Sequence, residues 1–161
     1  MSPSRRELNW LRSCFYLSRV FSTCAKRQYF SVVLMPNGRV AGVGYNGSPP
    51  GLGHCADGAC PRLHEQSPSG STYDNCIAQH AEANALLWSD PSLRSGATLV
   101  VNGPPCFGCA KQIASAGIVR VVFADDENYV ERDKSFNLLR SAGIDLVPIN
   151  TNAWSFDETS S

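Results

Sequence analysis

The chain opens on a run of apolar residues at helical spacing. Leu8, Leu11 and Phe15 lie three or four positions apart, which predicts an amphipathic helix over about 5–21. Two apolar runs then flank the turn-forming sequence Pro-Asn-Gly at 36–38, a pattern that is typical of a β-hairpin. The two predicted hairpin strands are 30–35 and 39–45.

The second half of the chain alternates between strand-like and helix-like segments. Short runs rich in branched apolar residues predict strands, and the segments between them, which end at Gly or at Asp-Pro, predict helices. The predicted strands are 97–101, 118–123 and 144–149, and the predicted helices are 77–89, 106–116 and 129–142. This alternation favours an α/β fold in which helices cover a partly parallel sheet that begins with an antiparallel hairpin.

Residues 46–75 separate these two halves and lack apolar periodicity. The segment is rich in Gly, Pro, Ser and Asp, and it contains Cys55 and Cys60. A structureless loop of this length is unusual in a compact domain unless something holds it in place. We expect its cysteines to do so.

Length and charge narrow the functional classes. A chain of 161 residues predicts a single domain over 1–161, with a core at about 22–150. Fourteen basic residues balance fourteen acidic ones, which favours a small substrate over long nucleic acid. No apolar run is long enough to span a bilayer, so we expect no membrane partner. The first twelve residues lack the apolar core of a secretion signal, and we therefore expect the reducing cytoplasm.

Seven cysteines in such a compartment favour metal ligation over disulfides. A catalytic zinc takes three protein ligands and keeps a fourth position open, and His80, Cys106 and Cys109 can supply the three. Two cysteines three positions apart at the start of a helix share one face, where the helix dipole stabilises thiolates. Glu82 is then the general acid and base of a hydrolysis.

This interpretation has a geometric condition and an alternative. His80 and Glu82 are two positions apart, so they converge only if His80 lies at or just before the first turn of its helix. The alternative is a structural histidine beside a zinc knuckle built on Cys106 and Cys109. A closed knuckle needs a fourth ligand near the two cysteines, and a His-x-Glu sequence is an unusual source for it.

Four motifs add a resemblance to this chemistry. They are Ser22–Arg27, the Gly-Tyr-Asn-Gly-Ser-Pro-Pro sequence that starts at Gly44 and continues to Cys55, Cys76–Ala85, and Pro105–Cys109. His-x-Glu followed by Pro-Cys-x-x-Cys is the signature of zinc nucleobase deaminases. Together the motifs resemble the cytidine deaminase superfamily and, within it, the deoxycytidylate (dCMP) deaminase family, to which Gly-Tyr-Asn-Gly-x-Pro is quite specific.

The resemblance implies a fold, an activity and partners. The implied fold is a three-layer α/β/α arrangement around a five-stranded mixed sheet, and the implied reaction is the zinc-dependent hydrolysis of dCMP to dUMP. The family usually forms homo-oligomers, here a dimer or a hexamer. In some members the Gly-Tyr-Asn-Gly loop also meets an allosteric triphosphate, dCTP or dTTP.

Four residues are candidates for substrate contacts. Asn46 lies between two glycines, which can present backbone amides to a sugar or phosphate, although the same sequence could be a simple turn. The resemblance adds Ala81, inside the His-x-Glu motif. Lys26 and Arg27 are candidates for neutralising the substrate phosphate, and the alternative for them is a solvated helix end.

The remaining cysteines predict a second, structural zinc that pins the long loop to its neighbours. The predicted ligands are Cys24, Cys55, Cys60 and Cys76. Some phage and bacterial members of the family are similar in carrying a structural zinc at this place. Two alternatives stay open: His54 or His64 replaces one thiolate, or the thiols are reduced and bind no metal. Cys14 is left over and is expected to be a small core residue.

Other residues leave the substrate class partly open. Tyr29–Val33 and Val101–Pro104 depart from the sequences usual in the family and lie near the expected base pocket, so plain and 5-substituted cytosine both remain candidates. Tyr129 and Trp88 are expected to be packing residues. The alternative functions are a deaminase that acts on a base within nucleic acid and a non-catalytic, zinc-stabilised binding module.

Overall fold

The computed structural model describes residues 1–64 and 75–154, and these contain five strands and six helices. The strands are β1 (Phe30–Leu34), β2 (Val40–Tyr45), β3 (Ala97–Val101), β4 (Ile118–Ala124) and β5 (Asp145–Ile149). The helices are α1 (Arg5–Phe21), α2 (Pro61–His64), α3 (Ala81–Leu87), α4 (Pro91–Arg94), α5 (Phe107–Ser115) and α6 (Arg132–Ser141), and a 3₁₀ turn spans Cys55–Asp57. None of the described helices is long and apolar enough to cross a membrane.

The strands form one mixed sheet in the order β2-β1-β3-β4-β5. β1 is antiparallel to both β2 and β3, whereas β3, β4 and β5 run parallel to one another. Parallel neighbours need a crossover connection, and α5 and α6 supply the two crossovers. The predicted five-stranded mixed sheet is therefore confirmed.

Side chains alternate across the sheet and divide the core into two halves. Val33 and Val121 point to the face that α3, α5 and α6 cover. Val32 points to the opposite face, where it packs with Leu11 and Cys14 of α1. The two half-cores produce the predicted α/β/α layers, and the fully buried Cys14 is the small core residue that the sequence predicts.

An ion-pair network fixes α1 against the far side of the sheet. Ser4 and Glu7 form a capping box at the start of α1, which satisfies backbone N–H groups of its first turn. Glu7 also accepts a hydrogen bond from Nε of Arg120 at 2.8 Å, and the Arg120 guanidinium contacts Asp145. The predicted helix over 5–21 has the predicted bounds.

The predicted start of the helix near the site is wrong, and a short helix after its end is missed. The helix predicted over 77–89 begins only at Ala81, because Gln79 instead forms an antiparallel bridge with Gly47. The Asp-Pro sequence that we interpreted as a stop ends α3 but also starts α4, since the Asp90 side chain accepts a hydrogen bond from Ser92 and caps the new helix. Trp88, expected to pack, is 71% exposed.

Candidate active site

Two helix starts meet at one cluster of metal-ligating side chains. His80 is the N-cap residue of α3, Cys106 is the N-cap residue of α5, and Cys109 lies in the first turn of α5. Nδ1 of His80 lies 3.3 Å from Sγ of Cys106 and 3.5 Å from Sγ of Cys109. Within residues 1–64 and 75–154, no other group of three His, Cys, Asp or Glu ligand atoms converges in this way, and no fourth joins this one.

The extended backbone before α3 sets the position of His80. The bridge between Gln79 and Gly47 holds the segment that leads into His80, whose own backbone is extended. Oδ1 of Asn46 accepts a hydrogen bond from the Ala81 amide at 2.8 Å, which anchors the first residue of the helix. His80 therefore precedes the first turn, and this meets the condition under which it converges with Glu82.

Gly44 allows β2 and α3 to touch at their backbones. A Cβ atom at Gly44 would lie 2.3 Å from the Ala81 carbonyl oxygen and 2.3 Å from the Ala85 amide nitrogen. Such distances are incompatible with any side chain, so the first glycine of the Gly-Tyr-Asn-Gly sequence serves to bring the start of α3 close to the sheet.

The start of α5 organises the two thiols. Sγ of Cys106 accepts a hydrogen bond from the Cys109 amide at 3.4 Å, so Cys106 is the N-cap residue of α5. The sequence predicted a helix over 106–116, whereas the first residue of α5 is Phe107. Oε2 of Glu131 accepts a second hydrogen bond, from the Phe107 amide at 3.2 Å. Both contacts satisfy amides that have no partner inside the helix.

The cluster fits zinc in donor chemistry and in spacing. One imidazole nitrogen and two thiolates are ligands that zinc prefers, and bonds of about 2.1 and 2.3 Å in a tetrahedron place nitrogen and sulfur about 3.5 Å apart. One of the two thiols, that of Cys106, is also arranged to lose a proton. A hydrogen bond with Cys109 lowers the pKa of Cys106 to about 4 in spite of burial, and proximity to His80 contributes. The same hydrogen bond, with burial, raises the pKa of Cys109.

Glu82 lies beside this cluster with its carboxyl group turned toward it. The residue is 1% exposed, and its carboxyl group lies close enough to His80, Cys106 and Cys109 to interact with all three. Oε2 of Glu82 has no hydrogen-bond partner among the residues that the structure describes. Burial, followed by the negative charge of Cys106, raises the pKa of Glu82 to about 7. A carboxyl group with such a pKa can both accept and donate a proton near neutral pH.

A cavity opens onto His80 and Glu82. Three of the four predicted substrate residues line it, namely Lys26, Arg27 and Asn46. Nδ2 of Asn46 donates a hydrogen bond to the Arg27 carbonyl at 3.0 Å, so its side chain joins this loop to the start of α3. Ala81 is fully buried and is not among the lining residues, and its contact with substrate stays a prediction.

The cavity lining also includes Arg62 of α2, which the sequence pattern did not single out and which is only 6% exposed. The ring of Tyr29, in the segment expected near the base pocket, lies so close to Gly103 that a Cβ atom at this glycine would come within 2.5 Å of the ring. The Tyr29 hydroxyl accepts a hydrogen bond from Arg27 at 3.0 Å. Tyr129 packs beside the two thiols and is 8% exposed, which confirms its predicted packing role. A lone arginine in a Gly/Pro-rich loop gives no sequence signal for burial.

The four remaining cysteines gather in one corner without converging to ligand distances. Cys55 and Cys60 hydrogen-bond one another, Cys24 is close enough to influence the Cys55 charge, and Cys76 packs on the same small cluster. The Cys76 thiol, however, points to the Ala78 carbonyl and to the His80 ring. Their joint role as ligands of a second zinc stays a prediction.

Known proteins share both the site and the fold. Residues 5–125 match the family model described as the cytidine and deoxycytidylate deaminase zinc-binding region. The deoxycytidylate deaminase of Mycobacterium phage D29 is 44% identical over 103 residues, which are 61% of this chain and 79% of the phage protein. The deoxycytidylate deaminase of Schizosaccharomyces pombe is 34% identical over 150 residues, 91% of this chain, but the match spans about half (46%) of the yeast protein.

A solved structure supports the fold. The dCMP deaminase of cyanophage S-TIM5 superposes with a TM-score of 0.65 at 23% sequence identity, and the match covers 92% of this chain and all of the phage chain. That phage enzyme has also been crystallised in complex with dCMP and dUMP. From the family model, the zinc-ligand cluster and the fold, we conclude that this chain belongs to the cytidine and deoxycytidylate deaminase zinc-binding family.

Proposed function

We propose that this protein is a zinc-dependent deaminase that hydrolyses dCMP to dUMP and ammonia. The observation that carries the proposal is the buried carboxyl group of Glu82, which lines one cavity with His80 and Cys106 of the metal-ligand cluster. The names of the phage and yeast relatives support dCMP as the substrate, as does the S-TIM5 complex with dCMP and dUMP.

Each residue has a defined role in this reaction. His80, Cys106 and Cys109 would hold the zinc ion, which when bound acts as a Lewis acid and makes water nucleophilic at neutral pH. Glu82 accepts one proton of the attacking water while a C–O bond forms at C4 of cytosine, and it passes this proton to N3 as the C4–N3 double bond becomes single. Glu82 then transfers the second proton, that of the new hydroxyl group, to the exocyclic amine; the C4–N bond to that amine breaks, the C4 carbonyl of uracil forms, and ammonia leaves. A carboxyl pKa near 7 suits both transfers.

The charges around the cavity favour a mononucleotide. Lys26 and Arg27 line the cavity with Glu82, and a phosphate group on a small substrate would meet them. The chain as a whole has no basic excess of the kind that grips long nucleic acid. These charges therefore favour a single nucleotide as the substrate over a base within DNA or RNA.

The variant Glu82→Gln tests the proposal directly. It keeps the size of the side chain but removes the proton carrier, so we expect ammonia release from dCMP to fall about 10²- to 10⁴-fold with zinc content unchanged. Glu127→Gln, an exposed carboxylate outside the cavity, is the matched control and should keep wild-type activity. Wild-type turnover by Glu82→Gln would refute the assignment.

A substrate comparison separates the alternatives. Wild-type protein should release ammonia from free dCMP faster than from single-stranded DNA or a tRNA stem-loop, and the inverse order would favour a nucleic-acid deaminase. A metal-containing protein that is inactive on all three would instead be a binding module. Adding 5-methyl-dCMP to the series tests whether a 5-substituted base is preferred.

Four further features belong to the same proposal. We infer a structural zinc on Cys24, Cys55, Cys60 and Cys76, a homo-oligomer, allosteric control by dCTP or dTTP, and a cytoplasmic location. The gathering of the four cysteines in one corner supports the zinc. Native mass spectrometry measures the subunit count and the metal content together, and two zinc ions per chain are expected.

A further inference from the structure

The cavity beside Glu82 carries three cationic side chains from two separate segments. Lys26 and Arg27 come from the connection between α1 and β1, and Arg62 comes from α2. In the lining that the structure describes, Glu82 is the one carboxylic acid, and Cys106 belongs to the metal-ligand cluster. Cations that share a small space repel one another, so this grouping favours an anionic ligand.

Arg62 differs from the other two cations in its burial. Only 6% of its surface is exposed, whereas Lys26 and Arg27 are half-buried. Taking a guanidinium out of water costs free energy, so arginine is rarely this buried without a specific contact. A contact made by a buried guanidinium is also weakened less by water and salt than one at the surface.

Contacts with the metal cluster fix where Arg62 lies. The Arg62 side chain and the Cys76 thiol both line the cavity and interact with one another, and Cys76 interacts in turn with the His80 ring. Cys76 therefore connects Arg62 to the metal-ligand cluster. A nucleotide whose base reaches Glu82 would extend its phosphate into the same cavity.

The chemistry of the guanidinium indicates which anion it would bind. A phosphate monoester carries a charge of about −1.5 to −2 at pH 7 and offers three strong acceptor oxygens. The planar fork of N–H donors on arginine matches two such oxygens at once. We propose that Arg62 binds the phosphate of the mononucleotide and makes the enzyme prefer the nucleotide over the nucleoside. This inference rests on the proposed function, which it deepens.

The test compares dCMP with deoxycytidine, which lacks the phosphate. We expect Arg62→Gln to lower kcat/KM for dCMP about 10- to 100-fold, mainly through KM, because one charge-assisted contact is lost. Activity on deoxycytidine should stay unchanged, and Arg62→Lys should restore part of the preference. Arg94→Gln is the matched control, since this arginine is also partly buried but contacts the Leu86 carbonyl outside the cavity.

Two outcomes would overturn the inference. Equal losses on dCMP and deoxycytidine would make Arg62 a structural support of Cys76, and an unchanged dCMP reaction would place the phosphate elsewhere. Calorimetry with dUMP and deoxyuridine needs no turnover, so it separates this inference from the proposed function: Arg62→Gln should weaken only dUMP binding.

If Arg62→Gln does not fold, a crystal structure of the wild-type protein tests the inference without any variant. In crystals grown with dUMP, a phosphate oxygen should lie within hydrogen-bond distance of the Arg62 guanidinium. A phosphate bound by Lys26 and Arg27 alone would overturn the inference.

Discussion

The two groups of cysteines that are candidate metal ligands differ in how closely their ligand atoms approach one another. Cys106 and Cys109 meet His80 with all three ligand atoms within 4.8 Å of one another. The loop cysteines Cys24, Cys55, Cys60 and Cys76 share a corner of the fold, but no three of their sulfur atoms converge to that distance.

The difference follows from what carries each group. The first group lies at the starts of two helices. The Gly47–Gln79 bridge and the close contact at Gly44 hold the start of α3, and the hydrogen bond from the Cys109 amide to the Cys106 thiol holds the start of α5. The loop cysteines come from three separate connections, and only two short elements, the 3₁₀ turn at Cys55–Asp57 and the four-residue helix α2, adjoin them. A site on regular elements is organised in advance, whereas a site on loops depends more on the metal for its geometry.

Replacing one cysteine from each group should give the largest contrast. We expect Cys106→Ser to lower activity more than about 100-fold and to remove one zinc per chain. The loss should exceed the factor of about 10 to 100 that is typical when only the hydrogen-bond partner of a metal ligand is removed. Cys55→Ser should lower stability and the content of the second zinc while the catalytic metal and most activity remain. Metal analysis with an ammonia assay measures both variants. Equal loss of activity in the two would contradict the separation of the groups.

Gly44→Ala should produce the next largest effect, because its new methyl group meets backbone atoms of α3 that cannot move aside. We expect a loss of about 1–3 kcal/mol in the free energy of unfolding. Zinc affinity should also fall, since His80 directly precedes α3 and would move with it. Urea denaturation and zinc titration provide the measurements, and Val43→Ala, a partly exposed position in the same strand, is the control. A variant as stable as the control would show that the contact is not tight.

The smallest effect concerns the ion pairs of α1, far from both cysteine groups. Burial raises the pKa of Glu7, but hydrogen bonds from Arg120 and Ser4 outweigh it and leave this pKa below its ordinary value. The ionised form therefore stabilises the fold at neutral pH, and this stabilisation is lost as the pH falls through the lowered pKa.

Glu7→Gln should accordingly be less stable than wild type by about 1 kcal/mol at pH 7, and the difference should shrink in acid. Thermal unfolding at a series of pH values measures it. A difference that grows as the pH falls would have the wrong sign for this network.

The sequence predicts the regular parts of this fold well and the loops poorly. Apolar spacing and the turn residues between the apolar runs place α1 and all five strands. The start of α3 is missed, because the bridge from Gln79 to Gly47 is a long-range contact that overrides local helix propensity. Spacing in the sequence singles out His80, Cys106, Cys109 and Glu82, which the structure brings together at one site. It does not single out Arg62, since the burial of Arg62 depends on where a loop packs.

The central claim is that the metal held by His80, Cys106 and Cys109 keeps one coordination position open toward Glu82. A crystal structure of the zinc-loaded protein, with data collected at the zinc absorption edge, tests this most directly. We predict a zinc ion bound to Nδ1 of His80 and to both thiolates, with the Glu82 carboxylate facing the remaining position. A fourth protein ligand on that ion, or a Glu82 side chain turned away from it, would contradict the account.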